Sequence, residues 1–507
     1  MENAFDGKTD AYVAVNIVMP SDLTRATDGG TVNGSDSENK VSSLYCLFYD
    51  TNGNFLVSSD VNTITNNPAT EGGTTTNIEN TTNAVLVLQN LQTAPKYMIT
   101  IVNAQPSDLE GKKMGSVRET IWNASTAYAT SNQFVMSTSA YYGSENVYWT
   151  DISSAVKENK NEAIAAPIDV YVERLAAKVS ATTSADFVAH ITNEGNTLAV
   201  NGTDATWEFT NVTWGVSGTN KTAYLIKNFD ESWGTSDPFT NWNASTSYRS
   251  YWAKDPNYTD GNFYANYQAY NTGSGATNGS LVHKKFTDIT NTLDVTTESE
   301  YCLENTLASL NNNNATHILI CGQWEQNSSG TSKAEDLFFY AGAYYTTTGY
   351  INLILNAISN GGTVKYYSDN AHTLEVSAAN FQIQPIANEA NIVQITPDGA
   401  IYDNAGTNVS STVAGALSNE NYRAEAFKGG RCYYAVNIEH LANSGVGHIG
   451  IVRNHVYDIT INGIKKMGVG VWDPNQEIIP EEKTLYYVAA KVNVLSWKKV
   501  SQSVTLE

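Results

Sequence analysis

The side chains with the most chemical potential in this sequence are four cysteines, a group of histidines near the end and a large store of carboxylates. Cys46, Cys302, Cys321 and Cys432 lie far apart and none belongs to a CxxC pair. Their spacing therefore matches neither a zinc site nor a readable disulfide framework, and buried free thiols are expected, with a Cys302–Cys321 pairing left open. His440, His448 and His455 sit close together, but their spacings fit no metal motif, and alternation along strands would turn them to different faces. Among 51 Asp and Glu residues any two could meet as the acid pair of a glycoside hydrolase, yet nothing in the spacing selects two. Asp50-Thr51-Asn52-Gly53-Asn54 opens like a calcium loop but lacks the Glu at its twelfth position, so it reads as a hairpin turn. GxSxG, Walker A, GxGxxG and HExxH patterns are absent, and the chain reads as a non-enzyme with no metal site and no cofactor.

Aromatic residues supply the remaining candidate chemistry. Residues 228–282 are rich in Asn, Tyr, Trp, Ser and Gly without clear periodicity, as in a large surface insertion. Trp233, Trp242, Tyr248, Tyr251, Trp252 and Tyr258 could stack on sugar rings, or they could simply pack onto their own domain.

The elements that must position these groups are mostly strands. At 507 residues the chain exceeds the roughly 250–300 residues at which single cores stop growing, so two domains are expected. Hydrophobic residues make up 41% and charged residues only 16%, with 30 Tyr and 36 Gly, a composition that favours strands and turns. The formal charge of −22 repels phosphate backbones and anionic lipid, which makes nucleic acid an improbable partner. No apolar run approaches the roughly 18–20 residues of a spanning helix. Residues 1–6 lack the basic and apolar regions of a signal peptide, so an export signal is expected to have been removed.

Ala11, Val13, Val15, Ile17 and Met19 alternate with other residues in the period-two pattern of a half-buried strand, which ends at Pro20. The following stretch, 21–40, is too polar to pack and reads as an exposed, protease-accessible tether. Leu44–Tyr49 and Phe55–Val57 flank the Asp50–Asn54 turn as a hairpin, with further strands at 83–91, 96–104 and 133–137. A helical region is expected within 105–160, another within 334–358, and strands from 316 and from 433. The domain boundary is expected near the strand that starts at Ile168. At the end, Tyr486, Val488, Ala490, Val492, Val494, Val500, Val504 and Leu506 all occupy even positions, with a bend expected over 495–498. A long one-sided strand at a chain end has no hairpin partner beyond it and must find a groove.

Three stretches carry a resemblance: Val170-Tyr171-Val172-Glu173-Arg174-Leu175-Ala176-Ala177-Lys178-Val179, Tyr301-Cys302-Leu303-Glu304-Asn305-Thr306, and Gly447 to Tyr457, which contains Arg453-Asn454-His455. With these the sequence resembles the fimbrillins, or type V pilins, of the Bacteroidales, most closely the major structural subunits of short (minor) fimbriae. The resemblance implies a mainly β protein of two β-sandwich-like (transthyretin-like) domains with a few short helices and long loops. It also implies export through the outer membrane as a lipoprotein precursor, and a place in a cell-surface fimbrium used in adhesion and biofilm formation. Residues 1–25 would be removed by an Arg-specific surface protease at the Arg25–Ala26 bond, Lys8, Lys40 and Arg118 being weaker competitors. An N-terminal domain would span 26–169, a C-terminal domain 170–480 and a donor strand 481–507. The donor strand of one subunit would fill the groove vacated in the next. About five buried side chains at roughly 1.5–3 kcal/mol each give an upper figure of about 7–15 kcal/mol before ordering costs, and such head-to-tail contacts, which do not close, make filaments.

Partners implied are identical subunits, anchor and tip subunits, the protease and a host or bacterial receptor. The role of the insertion stays open between shaft surface, antigenic variation and adhesion. Two alternatives stand beside this reading: a tip or accessory adhesin, which should lack a free donor tail, and a surface glycan-binding lipoprotein, which should present coplanar exposed aromatics.

Overall fold

A computed structural model describes residues 10–20, 31–61, 78–123, 134–138, 148–189, 197–228, 255–256, 281–306, 316–328, 331–438, 450–480 and 497–506, less the single positions 33, 36, 294, 296, 297 and 388. The protein is mainly β, as expected, with several sheets and short helices. Residues 21–30, nearly all of 229–280, and 481–496 lie outside the described residues. Arg25 and Ala26, the aromatics of the insertion, and Tyr486, Val488, Ala490, Val492 and Val494 fall among them.

The first sheet runs Phe55–Val61, Leu44–Tyr49, Tyr97–Val102, Met136–Thr138, Ile168–Arg174, Ala11–Pro20, Ile78–Leu88. Its outer strands approach one another, where the Ser59 hydroxyl donates to the Val87 carbonyl at 3.0 Å, so the sheet curls around a core. Leu44, Cys46 and Phe48 enter that core with Met98 and Val102. Tyr45, Leu47 and Tyr49 point the other way, into a second cluster with Ile99, Ile101, Leu109 and Leu225. A strand covered on both faces is written as an unbroken apolar run, which Leu44–Tyr49 is. The Asp50–Asn54 turn is a hairpin connection as expected: the Asp50 carboxylate accepts from the Asn52 and Asn54 amides, and Gly53 takes φ +72°.

The chain leaves this sheet at Leu175. Near the strand at which the domain boundary was expected, Ile168–Arg174 belongs wholly to the first sheet and Ala176–Ala189 to the second. The break is a change of partners: Arg174 pairs with Met136 in the first sheet, whereas Ala176 pairs with Leu303 in the second.

The second sheet orders Glu300–Leu303, Ala176–Ala189, His455–Ile464, Trp497–Leu506 and Thr31–Val32. A larger sheet contains Thr203–Ser217, His317–Ser328 and Arg431–Asn437. The two share one core, in which Val179, Ala181, Tyr457 and Ile459 meet Trp207, Trp214, Trp324 and Tyr434. This is the sandwich arrangement expected for the C-terminal part. A side lobe extends the larger sheet with Phe381–Pro385, Ile392–Pro397 and Ala424–Phe427, covered by the helices Thr347–Ile358 and Ser410–Leu417. The first of these helices lies where a helix was expected and is capped by the Thr346 hydroxyl, which accepts from the Gly349 amide at 3.3 Å. In the N-terminal part the helices are single turns or little more, at Met114–Val117 and Lys160–Ala165.

All four cysteines are buried free thiols, so Cys302 and Cys321 do not pair. Burial pushes the thiols of Cys46 and Cys432 up to about 12, which removes thiolate reactivity near neutral pH.

Candidate assembly site

The first strand, Ala11–Pro20, is an interior element of its sheet. It pairs antiparallel with Ile78–Leu88, Ala11 opposite Leu88, and parallel with Ile168–Arg174, Ile17 opposite Val170. Ala11, Val13, Val15 and Ile17 are fully buried, as their alternation predicts; the side chain of Met19 lies outside the described residues. They face Leu86, Leu88, Val170 and Val172 within the curled core. The Tyr12 amide and carbonyl also exchange hydrogen bonds with those of Lys157, at 2.8 and 2.9 Å. Taking out this one strand would leave two sheet edges, one antiparallel and one parallel to any strand laid between them in the same direction, above an apolar floor.

The tether expected over 21–40 is corrected at its far end. Glu38 and Asn39 are buried at 2% and 8% exposure, and Val41 is in the core. The Glu38 carboxylate accepts from the Lys178 ammonium at 2.8 Å, from the Tyr301 hydroxyl at 2.5 Å and from the Ser35 amide at 2.6 Å. Burial alone would raise its pKa; the hydrogen bonds from Lys178, Tyr301 and Ser35, with the Lys178 charge, outweigh that and hold it below the usual value. Arg174 donates to the Glu38 carbonyl at 2.9 Å, to Asn39 and to the Asn454 side chain at 3.0 Å. Lys40, a competing cleavage site in the sequence, is exposed directly beside this pinned segment, while Arg118 lies against the Tyr148 ring.

The three stretches that carry the resemblance meet here. Ala176 pairs with Leu303, Arg174 reaches Asn454, and Arg453 donates twice to Glu304, at 3.1 and 2.9 Å, in a fully buried ion pair. Arg453 also donates to the Tyr224 carbonyl at 2.8 Å. Asn454 takes φ +57°, a conformation Asn tolerates, and its amide donates to the Ala176 carbonyl. Arg453-Asn454-His455 thus ties together both sheets and the chain crossing between them. Lys227 and Glu173, both fully buried, lie 3.8 Å apart beside it. Glu38 and Lys227 were not found from the sequence, because nothing local separates them from surface charges.

The last strand, Trp497–Leu506, lies parallel to His455–Ile464, Val500 opposite Tyr457, Val504 opposite Ile461 and Leu506 opposite Ile464. Of the bend expected over 495–498, residues 495 and 496 lie outside the described residues, and 497 and 498 begin this strand. On its other side, among the described residues, only Trp497 and Lys498 are paired, with Val32 and Thr31. Both the first and the last strand span 10 residues.

His440 and His448 fall outside the described residues; His455 is buried, with its Nδ1 2.7 Å from the Arg453 carbonyl. Among the described residues no group of His, Cys, Asp and Glu side chains gathers as metal ligands do.

Residues 425–503 match the family described as the C-terminal region of fimbrillin, the type IV major fimbrial subunit protein. No curated protein matches the chain. Among solved structures it is similar to a fimbrilin from Porphyromonas gingivalis, at 12% identity over 97% of each chain with a TM-score of 0.34. It is similar also to a fimbrial assembly protein from Parabacteroides distasonis, at 11% identity over 77% of this chain and 96% of the other, with a TM-score of 0.30.

Proposed function

From the match of residues 425–503 to the C-terminal region of fimbrillin, we propose that the chain is the major structural subunit of a short-type cell-surface fimbria, polymerising by protease-triggered strand exchange. The family match supports the coarser statement directly: a fimbrial subunit at the cell surface, structural rather than catalytic, assembling with other fimbrial subunits. In the proposed cycle a lipoprotein precursor is exported and an Arg-specific surface protease cuts between Arg25 and Ala26. The strand Ala11–Pro20 then leaves, and the C-terminal strand of the next subunit enters between Ile78–Leu88 and Ile168–Arg174. Anchor and tip subunits would end the filament, and its exposed surface would meet a host or bacterial receptor.

One observation carries this reading. The first strand is fully integrated into its sheet, yet the polypeptide that follows the proposed cut is held independently by Glu38 and Arg174. Cutting at Arg25 therefore frees the strand without freeing the new end from the junction. The test is digestion of the purified chain with an Arg-specific protease, followed by mass spectrometry and electron microscopy, beside an Arg25→Ala control. Release of residues 1–25 with filaments in the wild type alone is the expected result; a cut chain that stays monomeric at high concentration would overturn it.

A further inference from the structure

On the side lobe an open cavity of about 590 Å³ is lined by residues 385–387 and 389, by Lys428 and Arg431, and by residues 472–474 and 476. That volume falls in the range of small-molecule sites, roughly 300–1,000 Å³. The cavity is a built feature of the backbone. The Lys428 amide donates to the Val471 carbonyl and the Val471 amide to the Arg431 carbonyl, each at 3.0 Å, which fixes the turn carrying Lys428 and Arg431 beside Trp472.

Its lining mixes two kinds of surface. Trp472, half-buried, and the rings of Pro385 and Pro474 supply apolar walls. Around them stand two cationic side chains, Lys428 and Arg431, two anionic ones, Glu389 and Asp473, and the Gln476 amide. Lys428 is committed, bonded to Asp336 at 2.5 Å and lying 4.9 Å from the Trp472 ring centroid. Glu389 accepts from Arg423 at 3.2 Å, and Asp473 from the Asn475 amide at 2.9 Å. Arg431 differs: its guanidinium makes no hydrogen bond or ion pair among the described residues, and of its nitrogens only Nε is fully buried, which leaves the outer ones open to a ligand.

We infer that this cavity binds a neutral pyranose of a glycan, Trp472 taking the apolar face of the ring and Arg431 and Gln476 bonding its hydroxyls. The charges select this class. An anionic ligand would meet Glu389 and Asp473, and a cationic one Lys428 and Arg431. A neutral hydroxyl both donates and accepts, and so can use donors and carboxylates in one ring of contacts. Trp supplies the flat apolar surface that a sugar face matches. This site is independent of strand exchange and gives the subunit a binding function of its own along the whole filament.

The test is saturation-transfer NMR and calorimetry of the full chain with methyl pyranosides of mannose, galactose, glucose and N-acetylglucosamine, beside methyl glucuronide and glucosamine as charged counterparts. At least one neutral glycoside should bind, and Arg431→Gln and Trp472→Ala should each weaken it by about tenfold or more. Gln476→Ala, at an exposed position, keeps the test open if Trp472→Ala does not fold, and should weaken binding severalfold with an unchanged melting temperature. Absence of binding by every neutral glycoside, preference for either charged sugar, or binding indifferent to both Arg431→Gln and Gln476→Ala would overturn the inference.

Discussion

At the residue scale the junction is governed by a few buried charges whose partners lie far away in sequence. Glu38 accepts three hydrogen bonds at 2% exposure, and its pKa lies below the ordinary value. A depressed carboxylate contributes stability above its unfolded pKa, and that contribution is lost as pH falls through the folded one. Glu38→Gln should therefore lower stability at pH 7 by about 1–3 kcal/mol. The gap to wild type should close as pH drops below about 4. Denaturant titrations of both proteins at pH 7 and pH 3 measure this, and a gap that widens in acid would refute the assignment. Arg453 and Glu304 form the stiffer pair, fully buried with two hydrogen bonds between them. Removing the arginine leaves a carboxylate without its cation, so Arg453→Met should cost about 3–5 kcal/mol, read as a fall in the denaturation midpoint.

At the element scale the first strand is paired along both edges and buries one face completely. Ile17 is fully buried between partners on both sides. An aspartate there should destabilise the uncut chain by more than about 3 kcal/mol, since it buries an unpaired charge. After cleavage and release of the strand, Ile17→Asp and wild type should melt alike, because the altered residue has gone. Differential scanning calorimetry before and after digestion compares them; a difference that survives release would mean that the strand does not leave. The strand was legible because a single alternating run encodes one buried face. The break at Leu175 was not, because a bend between two sheets leaves an apolar sequence apolar.

For the whole molecule, the last strand raises the question of what it does before assembly. Trp497–Leu506 is already paired with His455–Ile464, while most of its other edge has no strand partner among the described residues. A chain truncated after residue 480 should, once cut at Arg25, accept a donor strand without offering one. Added in small amounts to cut full-length chain, it should shorten the filaments, and alone it should form none. Electron microscopy of the mixtures reads this, and filaments from the truncated chain alone would exclude the last strand as donor.

The sequence by itself determined what local periodicity and turn chemistry encode: a mainly β protein, a first strand with one apolar face, the Asp50–Asn54 hairpin and a strand over the last residues. Tertiary structure alone decided which strands lie side by side and which charges pair. Arg174 meets Glu38 and Asn454 across separations of 136 and 280 residues, and Val500 lies beside Tyr457 in a parallel pairing that no turn specifies. Such choices depend on which arrangement buries apolar surface and satisfies every backbone group over the whole chain at once. The same holds for the cavity beside Trp472. Its three segments become neighbours only when the turn at Lys428–Gly430 is hydrogen-bonded to the chain at Val471.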